Sequence, residues 1–309
     1  MGLAPAIVCI GEMLWDVLPT GRRPGGAPFN AAVHLHQLGQ PVQFISRVGD
    51  DELGRELLAF STHNGISTHL IQRSRTHLTG VVKATARRSH GFVYKILKPV
   101  AWDYLQYSTE VQTAVSQARM VVYGSLAARN ATSRETLYRL LLHAPYKVFD
   151  VNLRPPHYSR EVVKYLLRQA DLVKLKGEEL VEIMGWLGQP ATEETALPWL
   201  AERFGLQAVR VNKGAAGASL WMANQLFHSP GFATPGQETI GSGDAFLAAL
   251  LASLLQGRAP ADCLRRACAA TALVGRHSAS FSQLAEGEIT DMVGAAAAGR
   301  AGAILPAPG

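Results

Sequence analysis

The chain has 309 residues, 48% apolar and 17% charged, which is globular usage and excludes a disordered or fibrous protein. Thirty Lys and Arg against 24 Asp and Glu give a net charge of +6, but the basic residues come as scattered pairs, Arg22-Arg23, Arg87-Arg88 and Arg265-Arg266. No aromatic strip interleaves them to stack bases, so no nucleic-acid partner is expected.

In chain order, apolar strands are expected at 6–10, 42–46, 120–123, 147–151, 171–175 and 208–211, and helices at 30–38, 52–63, 132–143, 159–169, 178–185 and 192–204. Strand alternating with helix at this spacing predicts an α/β fold, its mostly parallel sheet covered on both faces. The start of the chain lacks the basic segment of a secretory leader, and none is expected. The apolar run at 245–255 is too short to cross a bilayer and suits a buried helix, so no membrane partner is expected either. Cys9, Cys263 and Cys268 form no CxxC pair and no zinc spacing, which predicts reduced thiols and a cytoplasmic location.

Two stretches break the rhythm. Residues 13–18 extend the first strand, and 79–85 and 92–97 flank the polar turn Arg87-Arg88-Ser89-His90-Gly91 as a hairpin. The expectation is one α/β domain over 1–309, with strands of a small sheet inserted at about 12–20 and 70–98 as a lid. The alternative is an extra edge hairpin on the main sheet. The Ala/Gly/Pro-rich tail from Gly294 is expected to fray.

The chemistry starts with absences: no P-loop, no complete GxGxxG after a strand, no HExxH and no GxSxG. Four segments carry the signal. In Glu238-Thr-Ile-Gly-Ser-Gly-Asp-Ala-Phe246, the glycines around Ser242 bring backbone N–H groups of Gly241, Ser242 and Gly243 to a helix N-terminus, which forms an anion hole. Asp244 beside it would repel a resting phosphate, but makes sense as a base for a hydroxyl attacking a passing phosphoryl group. The alternative is a helix cap. Gly25-Gly-Ala-Pro-Phe-Asn30 opens another helix, and Asn30 and the upstream Asp16 suit sugar hydroxyls, or else a cap and a solvated acid. Asp150-Val-Asn-Leu-Arg154 ends a strand, where open α/β sheets bind ligands, and Arg154 is either a partner for a phosphoryl group or a surface salt bridge. In Lys174-Leu-Lys-Gly-Glu-Glu179, Glu179 is either a water-mediated Mg²⁺ ligand or a first-turn acid on a helix dipole.

These segments, with Leu38-Gly39 and Val48-Gly-Asp-Asp-x-x-Gly-Arg55, lie in order over nearly the whole chain and resemble the ribokinase-like carbohydrate kinases, the PfkB family. Gly11-Glu-Met-Leu-Trp-Asp16 and Pro99-Val-Ala-Trp-Asp103 are similar to bacterial fructokinase-type members. The resemblance implies a Rossmann-like three-layer sandwich with a β-sheet lid, and ATP-dependent phosphorylation of a sugar hydroxyl, with fructose leading. Kinases of 2-keto-3-deoxygluconate, ribose or a nucleoside, and a non-catalytic sugar binder, are the alternatives. It further implies Asp244 as base, Gly241, Ser242 and Gly243 as anion hole, and Arg154 facing the phosphate or substrate. Asp16, Gly26, Asn30 and Asp103 would hold the sugar, and Lys174, Asn212 and Gly214 the nucleotide. Glu179 would act through water on Mg²⁺. Glu238, where the family usually carries Asp, would border a K⁺ site. Relatives often pair their lids, so a homodimer through the faces of Phe92, Tyr94 and Ile96 is expected.

Overall fold

The central strands of the chain are buried at nearly every position because both faces of each are covered. A computed structural model describes residues 6–19, 21–86, 92–232, 241–276 and 283–298, with the side chains of 84–86, 92–94 and 215 outside that description. The chain begins with β1 (Ile7–Ile10), β2 (Leu14–Leu18), β3 (Gly21–Gly25), α1 (Ala27–Gln37), β4 (Val42–Gly49), α2 (Glu52–His63) and β5 (Ile71–Ser74). The hairpin β6 (Gly80–Ala86) and β7 (Phe92–Ile96) follows, then α3 (Thr109–Ser116), β8 (Met120–Gly124), α4 (Ala131–Leu141), β9 (Lys147–Asp150) and α5 (Arg160–Gln169). The second half holds β10 (Leu172–Lys176), α6 (Gly177–Leu187), α7 (Glu193–Phe204), β11 (Ala208–Asn212), β12 (Ala218–Met222), β13 (Gln225–Ser229), α8 (Ser242–Leu255), α9 (Pro260–Gly275) and α10 (Glu286–Ala297).

Nine strands form one sheet in the order β13-β12-β11-β10-β9-β8-β1-β4-β5, with every pairing parallel except β11–β12 and β12–β13 at one edge. Side-chain alternation along β1 shows how the two faces divide. Ile7 and Cys9 join the core shared with α1, α2, α8, α9 and α10, whereas Val8 and Ile10 join the core under α3 to α7. The direction of strand order reverses at β1, which pairs with β4 on one side and β8 on the other. Open α/β sheets bind ligands in the crevice beyond the C-terminal strand ends at such a reversal.

The α/β class and the parallel sheet of the sequence reading are present. Helix α2 spans the predicted residues, while α1 starts three residues early because Pro28 is favourable in a first helical turn and Gly26, at φ +115°, turns the chain into it. The expectation that 13–18 continue the first strand is corrected. Gly11, at φ +151°, breaks β1, and Leu14–Leu18 pairs instead with β3 and β6 in a separate four-stranded sheet ordered β3-β2-β6-β7. That pairing also replaces the edge-hairpin alternative. Strands β3, β12 and β13 were not expected, β5 falls within the expected lid insertion at 70–98 but pairs with β4 in the main sheet, and the fraying tail is corrected as far as Ala297, where α10 ends. The turn at 87–91 lies outside the described residues, as do the side chains of Phe92 and Tyr94.

Candidate active site

Helix α8 is apolar on every side and lies between α1 and α9, so its first turn is held rigidly at the crevice. Gly241, at φ +92°, is its N-cap, a left-handed position that favours glycine. Ser242 and Gly243 follow, so their N–H groups are among the four that a helix start leaves without a helical partner. Asp244 is 8% exposed. Its Oδ2 accepts from Asn30 Nδ2 at 2.8 Å and its Oδ1 lies 4.0 Å from Lys174 Nζ. The carboxylate is thus engaged by α1 and β10, which replaces the helix-cap alternative. Burial pushes the Asp244 carboxyl up to about 6, against the lowering effects of Lys174, the Asn30 hydrogen bond and Arg154, with Asp150 adding to the rise.

Asn30 is no cap either. It lies inside α1, its own N–H donates to Gly26 O at 2.8 Å, and its Oδ1 is buried without a partner, free to meet a ligand hydroxyl. The Gly-Gly turn is dictated by close packing. A Cβ at Gly25 would sit 2.2 Å from Asp16 Oδ2, and one at Gly26 would sit 2.2 Å from Glu12 O. Asp16, on β2, is therefore pressed against the turn that leads to Asn30. Burial raises its carboxyl to about 6, with Arg154 opposing and Asp244 reinforcing the rise.

Arg154 is exposed, and among the described residues no ion pair holds it. Its charge acts instead on Asp16, Asp244 and a third acid, Glu12. Sequence reasoning gave Glu12 no role. It is 3% exposed, its Oε1 accepts the Ala27 N–H at 3.2 Å, and its Oε2 is buried without a partner. Burial raises it to about 7. The available signal was an acid directly following an apolar strand and a glycine.

Lys174 is 4% exposed and its Nζ donates to Asp150 Oδ2 at 2.7 Å. A Cβ on Gly243 would lie 3.6 Å from that Nζ, so the ammonium underlies the α8 N-terminus and strengthens its positive potential. Both Glu179 oxygens accept backbone N–H groups, from Leu153 at 2.7 Å and Lys176 at 2.8 Å. This staples the loop after β9 to the start of α6. A carboxylate has about four lone-pair sites, so two directions are left for water. Asn212 ends β11 and its Oδ1 accepts the Gly214 N–H at 3.2 Å, shaping the turn, while Lys213 pairs with Glu193 at 3.2 Å.

Asp103 is the clear correction. Its oxygens are taken by Arg129 at 2.6 and 2.8 Å, with Oδ2 also accepting the Val100 N–H, and it is 1% exposed. It anchors the segment after β7 and has no oxygen open to a sugar. Glu238 lies outside the described residues.

The cleft therefore brings together the buried Asp244 carboxylate, the N-terminus of α8 and a group of polar side chains at the switch point of the sheet. Comparison with known proteins agrees with this geometry. The family model described as pfkB family carbohydrate kinase matches residues 7–285. A fructokinase of Klebsiella pneumoniae is 30% identical over 86% of this chain and 92% of its own length. The fold is shared with a fructokinase of Xylella fastidiosa with bound ATP, at TM-score 0.84 and 23% identity over 96% of this chain and 100% of that one. It is also shared with a double mutant of the Vibrio cholerae O395 fructokinase in its fructose, ADP and potassium ion bound form, at TM-score 0.80 and 24% identity over 94% and 98%.

Proposed function

Because the chain belongs to the pfkB family of carbohydrate kinases, we propose that it transfers the γ-phosphoryl group of ATP to a hydroxyl of fructose. The observation that carries this reading is the Asn30–Asp244 hydrogen bond, which joins the two motif segments across 214 positions of sequence. It supports a shared site in which the group that would hold the sugar also orients the base. The substrate assignment draws on the Klebsiella relative and on the sugar and nucleotide named for the Vibrio protein.

In this mechanism Asp16 and Asn30 Oδ1 accept hydroxyls of the sugar and fix one of them beside Asp244. Asp244, ionised above about pH 6, takes the proton of that hydroxyl as it attacks phosphorus. The Gly241, Ser242 and Gly243 amides, backed by Lys174, stabilise the charge on the phosphoryl oxygens, and Arg154 faces the same group. The lid sheet excludes water, so that ATP is not hydrolysed. Asn212 and Gly214 lie beside the nucleotide phosphates. Among the described residues no group of three or more His, Cys, Asp or Glu is placed to hold a metal ion. Glu179, whose carboxylate keeps two directions for water, would reach through water a divalent cation carried mainly by the nucleotide phosphates. Mg²⁺, when bound, neutralises phosphate charge, and K⁺ would sit beside Glu238.

One lid-paired homodimer in the cytoplasm completes the proposal. The three buried free cysteines suit a reducing compartment, and light scattering reads the mass. Coupled ADP release over fructose, 2-keto-3-deoxygluconate, ribose and adenosine tests the reaction. Fructose should give the highest kcat/KM, with dependence on Mg²⁺ and K⁺. A higher value for any other acceptor would overturn the substrate, and no ADP release with any would overturn the activity.

A further inference from the structure

Behind the loop that carries Arg154 lies a second concavity, a groove of about 420 Å³ walled by Lys98, Arg129, Arg134, His157 and the helix-capping residues Asn130 and Ser159. We propose that this groove binds a phosphate dianion, free or as a phosphate monoester, separately from the catalytic cleft.

Charge is the first argument. Three cations line the groove against one carboxylate, Asp103, and that carboxylate is already paired with Arg129. The second argument is the backbone. Helices α4 and α5, of 11 and 10 residues, both begin here. Asn130 and Ser159 each satisfy one first-turn N–H, of Thr132 and Val162, and Glu161 also accepts its own N–H at the start of α5, so the start of α4, with no acid in its first turn, is the end that keeps N–H groups for a ligand. That end exposes roughly half a unit of positive charge. The third argument is unmet hydrogen bonding. The Arg129 side chain is 3% exposed, and among the described residues its Nη1, like His157 Nδ1, is buried without a partner in the groove wall. Burying such donors unpaired is costly, and a ligand rich in acceptors removes that cost. Burial, then repulsion from Arg129 and Lys98, hold the His157 imidazole below its ordinary pKa against the raising effect of Asp103. A tetrahedral dianion offers enough oxygens for guanidinium, ammonium and the start of α4 together, which a single carboxylate does not.

The groove communicates with the cleft through one bond. His157 N–H donates to Arg154 O at 2.7 Å, so an anion seated here stiffens the loop that presents Arg154. The proposal rests on the groove's own residues and stands whether or not fructose is the acceptor.

The test follows the His157 imidazole resonances by NMR on the full chain with ADP saturating the nucleotide site. Inorganic phosphate and fructose 6-phosphate are titrated separately, and His157→Gln assigns the signal. Either probe at millimolar concentration should raise the His157 pKa, because a dianion cancels the repulsion from Arg129 and Lys98. Equal affinities assign the site to the phosphate group alone, and a tighter hexose phosphate shows that the sugar is read as well. The exposed Lys98 and half-buried Arg134, replaced together by Ala, should weaken binding about tenfold or more while turnover without added phosphate is unchanged. A His157 signal indifferent to both probes, or a double variant that titrates like the parent, would overturn the site.

Discussion

Burial holds the carboxyls of Asp244 and Asp16 each at about 6, and the mechanism needs both ionised, one to take a proton and the other to accept hydroxyls. A group with a pKa of 6 is ionised in about one molecule in eleven at pH 5, so two such groups are ionised together in about one in 120. With ATP saturating and the sugar varied, kcat/KM should therefore fall about a hundredfold between pH 8 and pH 5. One ionisation alone would give a fall of about tenfold over the same range. The charge of Asp244 raises Asp16, so the steps separate and the logarithmic slope should pass from one toward two as the pH falls. Asp16→Asn removes one step and should leave a slope of one, with weaker sugar binding at every pH. Initial rates of ADP release in buffers of constant ionic strength give the profile. A wild-type slope of one with its midpoint near 4, or an Asp16→Asn profile that superimposes on the parent, would refute the reasoning.

Three further outcomes probe the residues around this pair. The Glu12 carboxyl rises from 4.5 to about 7 on folding, so the native state binds the extra proton between those values and stability declines as the pH rises through that window. Glu12→Gln keeps an acceptor for Ala27 and should be about 1–3 kcal/mol more stable than the parent at pH 8, with the gap closing toward pH 4. Urea midpoints at the two pH values decide it, and equal midpoints at pH 8 would contradict the prediction. Gly26→Ala places a Cβ 2.2 Å from Glu12 O at φ +115° and should shift the turn beneath the sugar, lowering kcat/KM for the sugar by about tenfold or more. An unchanged value would remove the turn from the sugar site. Asp103→Ala strands the buried Arg129 charge and should cost about 3–5 kcal/mol in denaturant titration, while a sugar-binding defect without a stability loss would restore the ligand role.

What was legible in the sequence was whatever depended on pattern over short range. The strands β1, β4, β8, β9, β10 and β11 announce themselves as apolar runs because both faces are buried. The edge strands do not. Gly21–Gly25 reads GRRPG and pairs only with β2, so neither burial nor β-propensity marks it. The β12–β13 hairpin is likewise half-exposed along β13. Asp244, Asn30 and Asp16 were legible because glycines accompany them in recognisable spacings. Glu12 and the Asp103–Arg129 pair were not, since each depends on partners distant in sequence. Asp103 meets Arg129 only when the segment after β7 folds against the start of α4. Glu179 was read as a water-mediated Mg²⁺ ligand or an acid of a first helical turn, and only the structure reveals that it ties two strand-end loops together.

The central claim is that Asp244 removes the proton from the attacking hydroxyl. Asp244→Asn preserves the shape of the side chain and an oxygen for the Asn30 hydrogen bond, but not the base. Single-turnover phosphoryl transfer to the sugar at pH 8, measured beside sugar affinity by calorimetry, isolates that loss. The rate should fall about 100- to 10,000-fold while affinity stays within a few-fold of the parent. Turnover within about tenfold of the parent, with affinity intact, would contradict the account.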